Sequence, residues 1–164
     1  MTGGGRRTTS DAIGPLDQVC TFTVDDLSFG VAVTAVQEVL RYQPMTVVPG
    51  AAGCVSGLIN LRGQIVAAVD LRRRLGLPDR EPGAVPMNVI VQSRGEVVSL
   101  LVDDIGEVAD STAWCLESPP VNLPPAVRDV LHGVLPTPDR ILLILDPNRA
   151  ADVTDVSNST GGTQ

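Results

Sequence analysis

Apolar and polar residues alternate along most of the chain between residues 18 and 151, and this period constrains the fold more than any other feature. The run 19–24 places Cys20, Phe22 and Val24 on one face and two threonines on the other. The run 27–33 repeats the pattern. A period of two is typical of half-buried antiparallel strands, because successive side chains of a strand point to opposite faces.

Short polar connectors join these runs in pairs. Asp25-Asp26 separates the first two runs, and two later pairs of runs are joined by Asn60-Leu61-Arg62-Gly63 and Ser93-Arg94-Gly95-Glu96. Glycine supplies the positive φ that a tight hairpin turn requires. A further strand, 141–145, follows a proline-rich stretch that starts at residue 119. Many short strands with close turns predict small β-barrels or a sandwich.

Three short helices are predicted between the strands. Thr34-Ala35-Val36-Gln37 fits a capping box, in which a hydroxyl begins the helix and Gln follows three residues later. Asp70 and Asp146 each precede a further helical segment, as N-cap residues do. The segments 67–71 and 143–147 share one plan of buried strand, aspartate and helical turn. This echo hints at two similar β-barrel halves.

Composition argues against several classes of function. All twelve basic residues are arginine and none is lysine, so a P-loop phosphate clamp and a Schiff-base nucleophile are both excluded. A nucleic-acid binder needs a basic face and stacking rings, whereas this chain has a net charge of −7 and 2% aromatic residues. A hydrophobic fraction of 43% is enough for a core.

No group of residues has the pattern of a catalytic or metal site, and no cofactor is expected. His132 is the only histidine, and the neighbouring acids of Asp25-Asp26 and Asp103-Asp104 would point to opposite faces of a strand. The cysteines are odd in number and widely spaced, and we expect all three to be buried, inert thiols: Cys20, Cys54 and Cys115. The triplet Arg72-Arg73-Arg74 predicts a solvated helix face or, alternatively, a contact with an acidic partner.

The chain is expected to be cytoplasmic, without direct insertion into a membrane. No apolar run reaches the roughly 20 residues of a membrane span, and the first residues lack the apolar core of a signal peptide. Residues 1–17 and 152–164 are rich in small polar residues and are predicted to be disordered tails. Residues 18–151 are predicted to fold.

Two separate segments are candidates for a docking surface. Arg62 is predicted at the tip of a hairpin, beside Asn60 and Gly63, where a guanidinium held on a rigid turn could bind a carboxylate or carbonyl of a partner. The alternative is that Arg62 is merely solvated. The second segment combines an acid, Glu38, with apolar residues that form either an exposed docking edge or part of the core: Val36, Val39 and Leu40.

The segment from Gly57 to Leu71, GLINLRGQIVAAVDL, resembles the signature of the CheW family, whose members couple chemoreceptors to the chemotaxis histidine kinase. Three weaker matches follow the family's order: 36–40 resembles its first helix, 100–105 a strand of its second half, and 140–146 its closing strand. This chain departs from the family in having Ala67 where proline is frequent, and in lacking a large residue near Cys54. Both departures concern strand packing rather than the turn.

The resemblance implies a mainly β fold of two small five-stranded SH3-like barrels packed side by side, with a few short helices. It also implies a stand-alone, non-catalytic adaptor that binds the cytoplasmic tip of chemoreceptors (methyl-accepting chemotaxis proteins) and the regulatory domain of a CheA-type kinase. By the same resemblance, the partner-binding residues are Val36, Glu38, Leu40, Gly57, Asn60, Arg62 and Gly63. Two alternatives are an adaptor of another kinase pathway, such as surface motility or development, and a small β-barrel ligand-binding protein or enzyme.

Overall fold

The computed structural model describes residues 17–51, 53–112 and 114–152. The predicted tails lie outside these ranges except for Asp17 and Asp152. Ten strands are formed in these ranges: β1 Gln18–Val24, β2 Leu27–Ala32, β3 Val36–Leu40, β4 Val55–Leu61, β5 Gln64–Asp70, β6 Met87–Ser93, β7 Glu96–Val102, β8 Asp104–Asp110, β9 Leu131–Pro136 and β10 Ile141–Leu145. Three short helices accompany them: α1 Leu71–Arg74, α2 Pro125–Arg128 and α3 Pro147–Ala151.

The strands form two five-stranded sheets. Sheet A has the order β8-β1-β2-β10-β9, and sheet B has the order β3-β6-β7-β5-β4. All pairs of neighbouring strands are antiparallel except one in each sheet, β2 with β10 and β5 with β7. The prediction of a mainly β chain with two five-stranded units and few helices is therefore confirmed.

The two sheets repeat one design. The parallel pairs have matching registers, with Leu143 beside Phe29 in sheet A and Ala67 beside Val98 in sheet B. The antiparallel hairpins β9–β10 and β4–β5 each carry a register irregularity near one end. In this repeat the unit β4–β5–α1 corresponds to β9–β10–α3, and the hairpin β6–β7 corresponds to β1–β2. The two similar segments, 67–71 and 143–147, lie at equivalent places in this repeat. Each covers the end of a strand and the start of the helix that follows it.

Each sheet receives one strand from the neighbouring unit. Strand β3 follows β2 of sheet A along the chain but pairs with β6 of sheet B. Strand β8 follows β7 of sheet B but pairs with β1 of sheet A. Because of this reciprocal exchange, neither sheet is complete in one continuous segment of the chain, and we expect the two sheets to unfold together.

Among the residues that the structure describes, the apolar core is divided into three clusters. The largest contains side chains of both sheets, including the stacked rings of Phe22 and Phe29, whose centroids are 5.5 Å apart. A second cluster lies within sheet A, and a third, formed by Ile59, Leu61, Val66 and Ile90, lies within sheet B. Since full burial of a large aliphatic side chain stabilises a fold by about 1.5–3 kcal/mol, a core of valine, leucine and isoleucine is sufficient with very few aromatic residues.

The predicted helix at 34–37 is wrong. A single 3-10 turn covers Val33–Ala35, no side chain caps it, and the segment from Val36 to Leu40 is strand β3. The resemblance of 36–40 to a first helix fails for the same reason. Strand β3 alternates between exposed and half-buried residues and pairs with β6, so tertiary pairing prevails over a local capping pattern.

The other two helix starts are confirmed. Oδ1 of Asp70 accepts a hydrogen bond from the backbone N–H of Arg72 at 3.0 Å. Oδ1 of Asp146 accepts one from Asn148 at 2.9 Å. Each aspartate therefore caps the helix that follows a buried strand, as N-cap residues do. Strands β8 and β9, by contrast, are not in the sequence prediction, and β9 lies inside the proline-rich stretch.

The cysteines and the arginine triplet differ in part from expectation. Cys54 is buried and Cys20 is half-buried, and burial raises the pKa of both thiols, whereas Cys115 is exposed. The prediction of a buried thiol is wrong for Cys115. Both interpretations of the triplet are wrong for Arg72, whose side chain is 13% exposed and forms ion pairs inside the protein.

Candidate functional site

The candidate site begins at the turn between β4 and β5. Leu61 pairs with Gln64, so Arg62 and Gly63 form a two-residue hairpin turn. Both have left-handed backbones, with φ of 54° and 87°, as a type I′ turn requires. The backbone N–H of Gly63 donates to Oδ1 of Asn60 at 2.9 Å. Asn60 and Gly63 together hold Arg62 at the tip.

Arg62 forms an ion pair with Glu38 of β3. The Arg62 side chain is 64% exposed and the Glu38 side chain 24% exposed. An exposed pair of this kind contributes only about 0–1 kcal/mol to stability. Its structural effect is to join the β4–β5 turn to strand β3, which lies at the opposite edge of sheet B. The structure thus brings together the two segments that the sequence analysis singled out.

Exposed aliphatic residues lie close in sequence to both members of the ion pair, with Val39 on the opposite face of β3 from Glu38. Val39 follows Glu38 directly and is 37% exposed, and Ile65 lies three residues after Arg62 and is 60% exposed. Leu40 is half-buried against the cluster of sheet B, and Val36 is half-buried against the central cluster. Arginine is among the residue types enriched at the centres of protein–protein interfaces.

Gly57 has a different place in the site. It is buried, and the segment around Thr46 crosses it through two backbone hydrogen bonds with Leu58, both 2.8 Å long. A Cβ atom at Gly57 would lie 2.6 Å from the carbonyl oxygen of Thr46. Gly57 therefore allows one backbone to approach another beneath the surface.

Sequence reasoning did not identify Thr46 or Ile65 as part of this region. A signal for Ile65 was present, because the run 65–69 is apolar on both faces whereas a half-buried strand has one polar face. No comparable signal marks Thr46, whose contact with β4 depends on the path of the loop between β3 and β4.

The other candidates remain separate from this surface. His132 is half-buried on β9, and Cys20, Cys54 and Cys115 are free thiols. Over 17–51, 53–112 and 114–152, no three or more histidines, cysteines or acids are arranged to hold a metal ion. In the same ranges no helix is both long and apolar enough to cross a membrane.

Comparison with known proteins identifies the family. The family model of the CheW-like domain matches residues 18–154. The chain is 30% identical to a chemotaxis protein CheW from Rhizobium meliloti over 146 residues, covering 89% of this chain and 87% of the relative. It is 29% identical to a chemotaxis protein CheW from Bacillus subtilis over 136 residues, covering 83% and 87% of the two chains.

A solved structure agrees with these matches. The scaffolding protein TtCheW from Thermoanaerobacter tengcongensis superimposes with a TM-score of 0.69 at 25% identity, over 80% of this chain and 89% of that chain. The matched family region begins with β1 and extends past α3, so it includes both sheets and the Arg62–Glu38 pair. This chain belongs to the CheW family.

Proposed function

We propose that this protein is a non-catalytic adaptor that couples chemoreceptors to a CheA-type histidine kinase in chemotaxis signalling. The family match supports this proposal, as do relatives described as chemotaxis protein CheW and a structural neighbour described as a scaffolding protein. The proposed partners are the cytoplasmic tip of methyl-accepting chemotaxis proteins and the regulatory domain of the kinase. The proposed location is the cytoplasm, at receptor arrays on the inner face of the membrane.

The observation that carries the proposal is the Arg62–Glu38 pair on a rigid turn. Arg62 is fixed in position by the turn, yet 64% of its side chain is open to solvent. The ion pair is weak in water, so a carboxylate of a partner can replace Glu38 at little cost in free energy. A guanidinium held in this way can form two parallel hydrogen bonds to such a carboxylate.

The seven residues of the predicted site divide into two roles. Arg62 and Glu38 are proposed to contact a partner, together with Ile65, which is exposed on β5. The other five are proposed to support that contact. Asn60 and Gly63 hold the turn, Val36 and Leu40 anchor β3 in the core clusters, and Gly57 allows the Thr46 segment to cross.

Binding of each partner alone to a charge-reversal variant tests this function. Arg62→Glu should weaken binding of at least one partner by tenfold or more, because it removes the guanidinium and places a like charge beside Glu38. Arg94→Glu is the matched control. Arg94 occupies the same turn position between β6 and β7, with φ of 52° and a side chain 64% exposed. Equal binding of both partners by the folded Arg62→Glu variant would contradict the assigned role.

A further inference from the structure

Arg72 on α1 forms a bidentate ion pair with Asp103. Nε of Arg72 lies 2.9 Å from Oδ1 of Asp103, and Nη2 lies 2.7 Å from Oδ2. Asp103 is the single residue between β7 and β8, where the chain passes from sheet B to sheet A. Its backbone N–H also donates to the carbonyl of Thr23 on β1 at 2.9 Å. A helix of sheet B is thus attached to the strand that crosses between the sheets.

The same ion pair reaches the β1–β2 turn of sheet A. The backbone N–H of Asp25 donates to Oδ2 of Asp103 at 2.7 Å, and the Asp25 carboxylate lies 3.6 Å from Nη2 of Arg72. The guanidinium of Arg72 therefore connects sheet B both to the β1–β2 turn of sheet A and to the residue at which the chain passes into sheet A. We call Arg72, Asp103 and Asp25 the charged latch.

Residues on or next to sheet B also contact Arg72 and Asp103 of the charged latch. Arg72 donates through Nη1 to the carbonyl of Pro78 at 2.8 Å. Arg80 pairs with Asp70 at 3.2 Å and with Asp103 at 3.1 Å, and its side chain is only 12% exposed. Removing one partner of such a partly buried network leaves a charge uncompensated, which is far more disruptive than losing an exposed pair.

The repeated fold has an equivalent contact between the β6–β7 turn of sheet B and α3, and this contact is weaker than the charged latch. There the first residue of the β6–β7 turn, Arg94, donates its backbone N–H to Oδ1 of Asn148 on α3 at 3.1 Å. Asn148 occupies in α3 the position that Arg72 occupies in α1, since each follows its aspartate cap by two residues. The side chain of Arg94 is 3.5 Å from Asp152 and largely exposed. Besides the apolar core that the two sheets share, the polar contacts between them are therefore unequal on the two sides.

We propose that Arg72 is a positioning residue that fixes sheet A relative to sheet B, so that loss of the charged latch lets the sheets move about the weaker Arg94–Asn148 side. This inference rests on the proposed function in one respect. An adaptor that holds two partners at once must keep its two sheets in a constant relation, whereas binding of a single partner at the Arg62 turn needs sheet B alone.

Distances between spin labels on the two sheets test the latch directly. One label is placed on the native, exposed Cys115 beside sheet A and the other on a cysteine introduced at Gln64 of sheet B, in a Cys20→Ser, Cys54→Ala background. Pulsed electron–electron double resonance on the full chain should give a narrow distribution of distances between the two labels. Arg72→Gln should broaden that distribution at least twofold or shift its centre.

Two further variants control for folding and for charge. Arg73→Gln removes the neighbouring arginine of the same helix, whose ion pairs with Asp79 and Asp70 stay on the side of sheet B, and should keep the narrow distribution. Asp103→Asn preserves the shape of the side chain and should broaden the distribution even if Arg72→Gln does not fold. A narrow distribution in Asp103→Asn and in any folded Arg72→Gln would overturn the proposal, as would equal broadening in Arg73→Gln.

Partner binding separates the latch from the proposed function. Arg72→Gln should bind a partner of the Arg62 turn within twofold of the unmodified chain but assemble the complex with both partners several-fold less well. Loss of single-partner binding by the folded variant would overturn the positioning role. If the unmodified chain binds neither partner, the proposed function fails while the spin-label result still decides the latch.

Discussion

Gly57 and Gly133 occupy equivalent positions in the two sheets, and each lies under a crossing segment of backbone. A Cβ atom at Gly57 would come within 2.6 Å of the carbonyl oxygen of Thr46, and one at Gly133 within 2.6 Å of the carbonyl oxygen of Glu117. The residue after each glycine makes an isolated bridge to that same segment. The close approach is therefore part of the repeated design, and only one of its two copies lies beside the proposed docking surface.

We expect Gly57→Ala and Gly133→Ala to destabilise the fold by about 1–3 kcal/mol each, because an added methyl group must displace backbone. Denaturant unfolding measures both changes. Gly53→Ala is the control, since a Cβ atom there meets nothing within 4 Å and the residue has no positive φ. A stability for Gly57→Ala equal to that of Gly53→Ala would contradict the packing role of Gly57.

Asn60 should affect partner binding through the turn rather than by contact. Asn60→Ala removes the acceptor for the Gly63 N–H, which lowers stability by about 0.5–1.5 kcal/mol and releases Arg62 from its position. Asn60→Asp keeps an acceptor oxygen and should retain most of the binding that Asn60→Ala loses. Isothermal titration with each partner distinguishes the two variants. Equal losses of partner binding in Asn60→Asp and Asn60→Ala would indicate that the Asn60 amide itself contacts the partner.

The buried polar pair Asn88 and Ser99 in sheet B should behave as a coupled unit. Nδ2 of Asn88 donates to Oγ of Ser99 at 2.7 Å, and neither residue has solvent-exposed surface. Ser99→Ala should cost about 1–3 kcal/mol, because the buried amide loses its acceptor. The double variant Asn88→Val, Ser99→Ala should cost less than the sum of the single changes. Strict additivity in a double-mutant cycle would argue against coupling.

Acid should weaken the charged latch through Asp103. Burial acts to raise the pKa of Asp103, but the Arg72 hydrogen bond, the Asp25 amide and the charges of Arg72 and Arg80 hold it below its usual range. Since the folded pKa is depressed, the stabilisation is present above the unfolded value of about 3.9 and is lost as pH falls through the folded pKa.

Unfolding of the unmodified chain and of Asp103→Asn, compared across pH, measures this effect. The difference in free energy of unfolding should be constant near neutral pH and should shrink as pH falls below about 4. A difference independent of pH would show that the latch does not depend on the ionised carboxylate.

Local features of the fold could be predicted from the sequence because neighbouring residues determine them. The Arg62-Gly63 turn follows from a glycine between alternating apolar runs, and the caps at Asp70 and Asp146 follow from an acid before a short helical segment. Strand β3 was misassigned because Thr34 and Gln37 have the spacing of a capping box. Only its pairing with β6, which is distant in the chain, makes it a strand.

Features that depend on the exchange of strands could not be predicted. Arg72 was expected in solvent because three consecutive arginines diverge around a helix, and nothing local shows that Asp103 arrives beside one of them. The contact between Arg62 and Glu38 also depends on β3 reaching sheet B. The family resemblance places Arg62 and Glu38 in one site, whereas their local sequences only mark each segment separately as a candidate docking surface.

Assembly of the complete complex is the most direct test of the proposed adaptor function. A receptor signalling-tip fragment on vesicles is sedimented with the kinase regulatory domain and with the unmodified chain, Arg62→Glu or Arg94→Glu. We predict that the unmodified chain and Arg94→Glu carry the kinase domain into the pellet with the receptor, and that Arg62→Glu, although folded, does not. Equal recovery of the kinase domain with and without the unmodified chain would contradict the proposed adaptor function.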